Sequence, residues 1–129
     1  DLWGSHGLER RTRQGCWAGP APQREASSFL DEVCGHLFRE GGGALTERKL
    51  YGVAIHRRGS DPAAYEAASE TLQQRFAPAA AAHGLELLPF DGGLELRPRE
   101  FHKGLVVVRA FAELGADAAV AYLGDDLHV

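Results

Sequence analysis

ALTERKLYGVAIHRR, residues 44–58, lies between two helical patterns and sets the plan of the middle of the chain. Its β-branched and aromatic residues read as strand, with an early break near Glu47. Helical patterns flank it. Upstream, Leu30, Val33, Cys34, Leu37 and Phe38 recur at helical spacing, and the glycines at 41–43 end that helix. Downstream, SDPAAYEAASETLQQRF (60–76) offers Asp61 as N-cap and Pro62 in the first turn. Tyr65, Leu72 and Phe76 then share one face. LELLPFDGGLELRP (85–98) follows as two short strands around the turn Asp91-Gly92-Gly93. The order helix, two strands, helix, two strands predicts an α+β layer with helices on one face of an antiparallel sheet.

The two ends read differently. RRTR at 10–13 reads as a solvated loop, and GPAPQ at 19–23 is a loop by composition. HKGLVVVRAFAELG (102–115) predicts a helix stopped by Gly115, and the apolar run at 118–123 suits a buried parallel strand. That last part has the plan of one piece of a doubly wound sheet. The middle and the ends therefore belong to different architectures.

Bulk properties bound the function classes. A chain of 129 residues fits one domain with a modest core. The formal net charge of −4 argues against bulk affinity for nucleic acid or an anionic membrane surface. No stretch approaches the ~18 apolar residues of a membrane helix, and no secretory leader is seen. Cys16 and Cys34 make neither a disulfide framework nor a zinc motif. A cytoplasmic protein is expected. The absence of Met and the start at Asp1 read as a processed chain or a fragment.

Three charged residues stand where a sheet would expose them. Glu47 and Lys49 are two apart, so a continuous strand points both the same way. Glu95 alternates with Leu94 and Leu96, and belongs on the open face if those leucines are core. Carboxylates that accept and an ammonium that donates could grip sugar hydroxyls. An ordinary solvated face with ion pairs worth ~0–1 kcal/mol is the alternative. Lys103 falls in the first turn of a helix, where a cation is disfavoured unless an anion such as phosphate binds there. Asp125 and Asp126 follow the next strand, and hard oxygen ligands of that kind suit Mg²⁺. In WGSHGLER, Gly4 and Gly7 flank Ser5 and His6, which reads as a turn with a polar cap.

Four stretches, GSHGLERR, LTERKLYGVAIHRR, GGLELRP with HKG, and YLGDDL, occur in one order at plausible separations. Together they resemble the trehalose-6-phosphate phosphatases of the haloacid dehalogenase superfamily, over nearly the whole chain. The resemblance implies an α/β, haloacid-dehalogenase-like fold, mostly an inserted α+β cap with a partial Rossmann-like core. Residues 1–9 and 102–129 would be core remnants and 10–101 the cap. It implies that Glu47, Lys49, Glu95 and His6 bind substrate, that Lys103 balances phosphate charge in catalysis, and that Asp125 and Asp126 hold Mg²⁺. The small-molecule substrate would be trehalose 6-phosphate, hydrolysed through an aspartyl-phosphate while the cap excludes water. A phosphatase for another sugar phosphate, such as sucrose phosphate, and a non-catalytic sugar-phosphate-binding module are the other readings. The complete enzyme is expected to be a monomer.

The chain also departs from that family's pattern. It contains no DxDGT motif, which carries the nucleophile, and no serine or threonine motif for the phosphate. His128 and Val129 stand where Thr-Asp is usual, His56-Arg57-Arg58 replaces His-Tyr-Arg, and His102 precedes the lysine. A fragment inactive on its own is expected.

Overall fold

The computed structural model describes residues 2–18, 21–115, 117 and 119. The chain divides into two compact units, one from residues 22–99 and one from described residues on either side of it.

The unit 22–99 begins with α1 (Arg24–Arg39), which buries Phe29, Leu30, Val33 and Leu37. Its sequence stripe is the predicted one, except that Phe38 is exposed and Phe29 takes the inward place. Gly41 ends the helix at φ +85°, a left-handed conformation that glycine adopts without a Cβ clash. Strands β4 (Thr46–Arg48) and β5 (Val53–His56) follow as an antiparallel pair. The break in residues 44–58 thus lies at 49–52, two residues later than the composition suggests. The Lys49 amide donates to the Gly52 carbonyl at 2.8 Å and the Gly52 amide donates back at 3.4 Å, so this pair extends the β4–β5 register by one step and the hairpin turns at residues 50–51. Lys49 stands one residue past the end of β4, two positions from Glu47 and in step with it.

Helix α2 (Pro62–Thr71) starts as predicted, with Asp61 Oδ2 accepting from the Ala64 amide at 2.9 Å. It continues through a wide turn at Leu72–Phe76 into α3 (Ala77–Ala80), burying Ala68, Leu72, Phe76 and Ala80. β6 (Leu85–Phe90) and β7 (Gly93–Pro98) form the predicted hairpin. Sheet order is β4-β5-β7-β6, antiparallel throughout. β6 is an edge strand, where Pro89, lacking an N–H, does no harm. Val53 and Ile55 of β5, Leu96 of β7 and Leu85 of β6 meet the helices in one apolar cluster. Gly93 has to be small, because a Cβ there would fall on the Ile55 carbonyl oxygen.

The other unit holds a three-stranded antiparallel sheet, β1 (Leu2–Gly4), β2 (Glu9–Thr12) and β3 (Gly15–Ala18), and helix α4 (Lys103–Leu114). Arg10, Arg11 and Thr12 are therefore strand and not a solvated loop: β2 pairs on both sides, with β1 and with β3. This pairing groups the described residues of 10–21 with the unit that holds the ends, whereas the sequence reading places them with 22–99. Arg10 makes a two-pronged ion pair to Glu113 at 2.5 and 2.7 Å and lies 4.8 Å from the centre of the Trp3 ring. Gly115 ends α4 as predicted. The expected strand at 118–123, with Asp125 and Asp126 beyond it, lies outside the described residues apart from 119.

Candidate functional site

The face of the four-stranded sheet away from the helices collects the charged residues. Opposed residues in antiparallel strands point to the same side, and Glu47, Ala54, Glu95 and Leu88 stand in one row across the four strands. Because Val53, Ile55 and Leu96 are all fully buried on the helix side, their alternate neighbours must face the other way. The expectation for Glu95, conditional on core leucines, holds: Leu96 is buried and Leu94 packs against the same cluster.

Lys49 extends this face at the end of the hairpin, opposite Gly52. Its Nζ donates to Glu95 Oε1 at 2.9 Å. The pair is asymmetric: the Glu95 side chain is 9% exposed and that of Lys49 40%. Glu95 is thus a carboxylate sunk into the floor, with a cation over it that reaches solvent. Beside it, Glu47 Oε2 accepts from His56 Nε2 at 2.7 Å, and both side chains are about half exposed. The edge of one ring, His56 or Phe90, meets the face of the other at 5.7 Å between centroids and 76° between planes. Ala54 leaves the middle of the row without a long side chain. The result is a shallow polar face with two anchored carboxylates, an ammonium and an aromatic wall. Such groups can accept from and donate to a hydroxyl-rich ligand, and charge-assisted bonds there are stronger than neutral ones.

His56, Glu86 and Arg97 belong to this face by register, and the sequence reading assigned none of them to it, naming His56 only as a motif position. Each stands two positions from a residue already placed there, His56 from Ala54, Glu86 from Leu88 and Arg97 from Glu95. Extending the alternation by one step finds all three.

In the other unit, Ser5 and His6 have φ of +47° and +58°, and Gly7 +96°. This left-handed turn packs on the start of α4. A Cβ on Gly7 would meet Val106 Cγ2 at 2.8 Å and the His102 carbonyl at 4.0 Å. His6 and Lys103, far apart in sequence, are thereby carried on adjoining segments: Lys103 is the first residue of α4, after His102 as N-cap. Among the described residues, no group of three histidine, cysteine, aspartate or glutamate side chains is placed to hold a metal ion. Asp125 and Asp126 lie outside those residues. Among the described residues no helix is long and apolar enough to cross a membrane.

The Arg10 hydrogen bond holds the Glu113 carboxyl below the usual range, and burial pushes the Cys34 thiol up, with nearby Arg48 opposing.

No family model and no curated protein matches the sequence. Solved structures do. The trehalose-6-phosphate phosphatase of Aspergillus fumigatus matches in one crystal form with a TM-score of 0.53 at 24% identity, covering 87% of this chain and 43% of that one. A second crystal form gives 0.49 over 87% and 42%, also at 24% identity. The sucrose-phosphatase of Synechocystis, solved with sucrose and phosphate, gives 0.39 at 14% identity, over 84% and 44%. The chain spans less than half the length of these structures. The likeness agrees with the resemblance read from the sequence, and the chain has the mixed helix-and-strand fold of part of a trehalose-6-phosphate phosphatase.

Proposed function

We propose that this chain is the sugar-selecting part of a sugar-phosphate phosphatase, with trehalose 6-phosphate as its substrate. The observation that carries the reading is the meeting of Glu47, Lys49 and Glu95 on one open sheet face, the first two from one hairpin and Glu95 from a strand 46 residues beyond Lys49. A solvated face of weak ion pairs does not require one partner to be buried, yet Glu95 is. Burying a carboxylate costs free energy that a bound hydroxyl array could offset. Preference for trehalose rests on the four resembling stretches and on the shared fold.

In this reading residues 22–99 act as the cap, and the segments on either side contribute to the core. Lys103 would neutralise phosphate charge, and His6, on the adjoining turn, would contact substrate. Asp125 and Asp126 would hold Mg²⁺, which supplies further charge stabilisation to phosphoryl transfer when bound. The chain's own residues would bind and orient the sugar. The nucleophile is not among them, since no DxDGT occurs here.

Calorimetric titration with trehalose 6-phosphate tests the reading. Glu47→Ala, Lys49→Ala and Glu95→Ala should each weaken binding about tenfold or more, the range for a lost hydrogen bond to a charged group. Sucrose 6-phosphate should bind less tightly. Unchanged binding in all three variants, or preference for sucrose 6-phosphate, would overturn the assignment. Phosphate release by the 129-residue chain alone should be absent.

A further inference from the structure

Of the two carboxylates in the row Glu47-Ala54-Glu95-Leu88, Glu95 is fixed by burial and by Lys49, but Glu47 is about half exposed on the short edge strand β4. A half-exposed glutamate samples several rotamers and would lose that freedom on gripping a ligand. The structure supplies a tether. His56 Nε2 lies 2.7 Å from Glu47 Oε2, and among the described residues Glu47 has no other partner. An ionised carboxylate only accepts, so the proton of this bond sits on Nε2. Glu47 Oε1 remains open to accept from a ligand. The imidazole is itself held: it sits at the end of β5, opposite Gly93, and Phe90 meets it in an edge-to-face contact across that glycine.

We propose that His56 is a positioning residue for sugar recognition: it holds the Glu47 carboxylate in its binding orientation, backed by Phe90, without touching the sugar. The inference rests on the reading of this face as a sugar site and adds to it a residue that acts only through Glu47.

Such a role has a signature that ligand contact and plain structural support both lack. His56→Ala should weaken trehalose 6-phosphate binding by about threefold to tenfold, the cost of re-ordering one long side chain. His56→Gln, which keeps an N–H at similar reach, should restore most of that loss. In a Glu47→Ala background, His56→Ala should have no further effect. The experiment is a double-mutant cycle on the 129-residue chain, read by amide chemical-shift titration with trehalose 6-phosphate. The same spectra report whether each variant keeps its fold, and Phe90→Leu, which loosens the wall without removing the tether, serves where His56→Ala does not. An equal loss in both backgrounds overturns the proposal, as does binding by His56→Ala that matches the unaltered chain while Glu47→Ala is weak. That last result leaves the sugar-site reading standing. No binding by the unaltered chain overturns both.

Discussion

The two units of this chain bury their apolar surface very differently. In the unit 22–99, helices α1 and α2 and four strands close over a continuous cluster in which Leu30, Val33, Leu37, Val53, Ile55, Leu72 and Leu96 are at most 1% exposed. In the other unit, Leu8 is the only buried large apolar side chain among the described residues. Val108, Phe111 and Leu114 on α4 remain exposed. The first unit has what an independently stable fold needs, and its rigidity is what can hold charged side chains in register on its open face. The second is held among its described residues mainly by strand pairing and by the Arg10–Glu113 pair, interactions that contribute less per residue.

Core truncation should break the comparison most sharply if it is wrong. Leu72→Ala should cost about 2–5 kcal/mol in urea unfolding, because it removes transfer free energy and leaves a cavity. Leu114→Ala, at 67% exposure, should stay within about 0.5 kcal/mol. Equal costs would contradict a core confined to one unit. Gly93→Ala should come next, at about 1–3 kcal/mol, since the new methyl meets the Ile55 carbonyl and forces β5 and β7 apart. Asp61→Ala should cost about 1 kcal/mol through loss of the α2 cap, with the sheet face unchanged in ligand titrations.

Smaller effects sharpen the contrast through pH. Glu113 has a depressed folded pKa, so its contribution is present above the ordinary carboxyl range and is lost as pH falls through the lower folded value. Glu113→Gln should flatten this part of the acid limb, and added salt should do the same, because the pair is exposed. Cys34 runs the other way. Its raised pKa means the unfolded thiol ionises first, so stability falls slightly as pH rises above about 8.5. At pH 8 Cys34 should react with iodoacetamide more slowly than a free thiol, and fast alkylation would contradict its protection.

How legible these features were in the sequence follows the same division. The stripe Leu30-Val33-Leu37, the Asp61 cap and the Asp91-Gly92 turn are local signals, and each formed where its residues indicated. Lys49 follows the alternation too: two positions from Glu47, it continues the hairpin register opposite Gly52, while its partner Glu95, 46 residues away, is what local spacing does not encode. Core positions for Leu94 and Leu96 put Glu95 on the open face, but its burial there comes from tertiary surroundings that spacing does not show. RRTR misled because three charged residues in four look solvated, whereas here Arg10 is paired with Glu113, a residue from the far end of the chain. Tertiary partners of that kind leave no mark on local composition.

The most direct test of the central claim is an amide chemical-shift titration of the isotope-labelled 129-residue chain with trehalose 6-phosphate. Perturbations should centre on Glu47, Lys49, Ala54, His56 and Glu95 and be lost in Glu95→Ala. No perturbation there, or shifts confined to the groove lined by Arg24, Phe29 and His83, would contradict that claim.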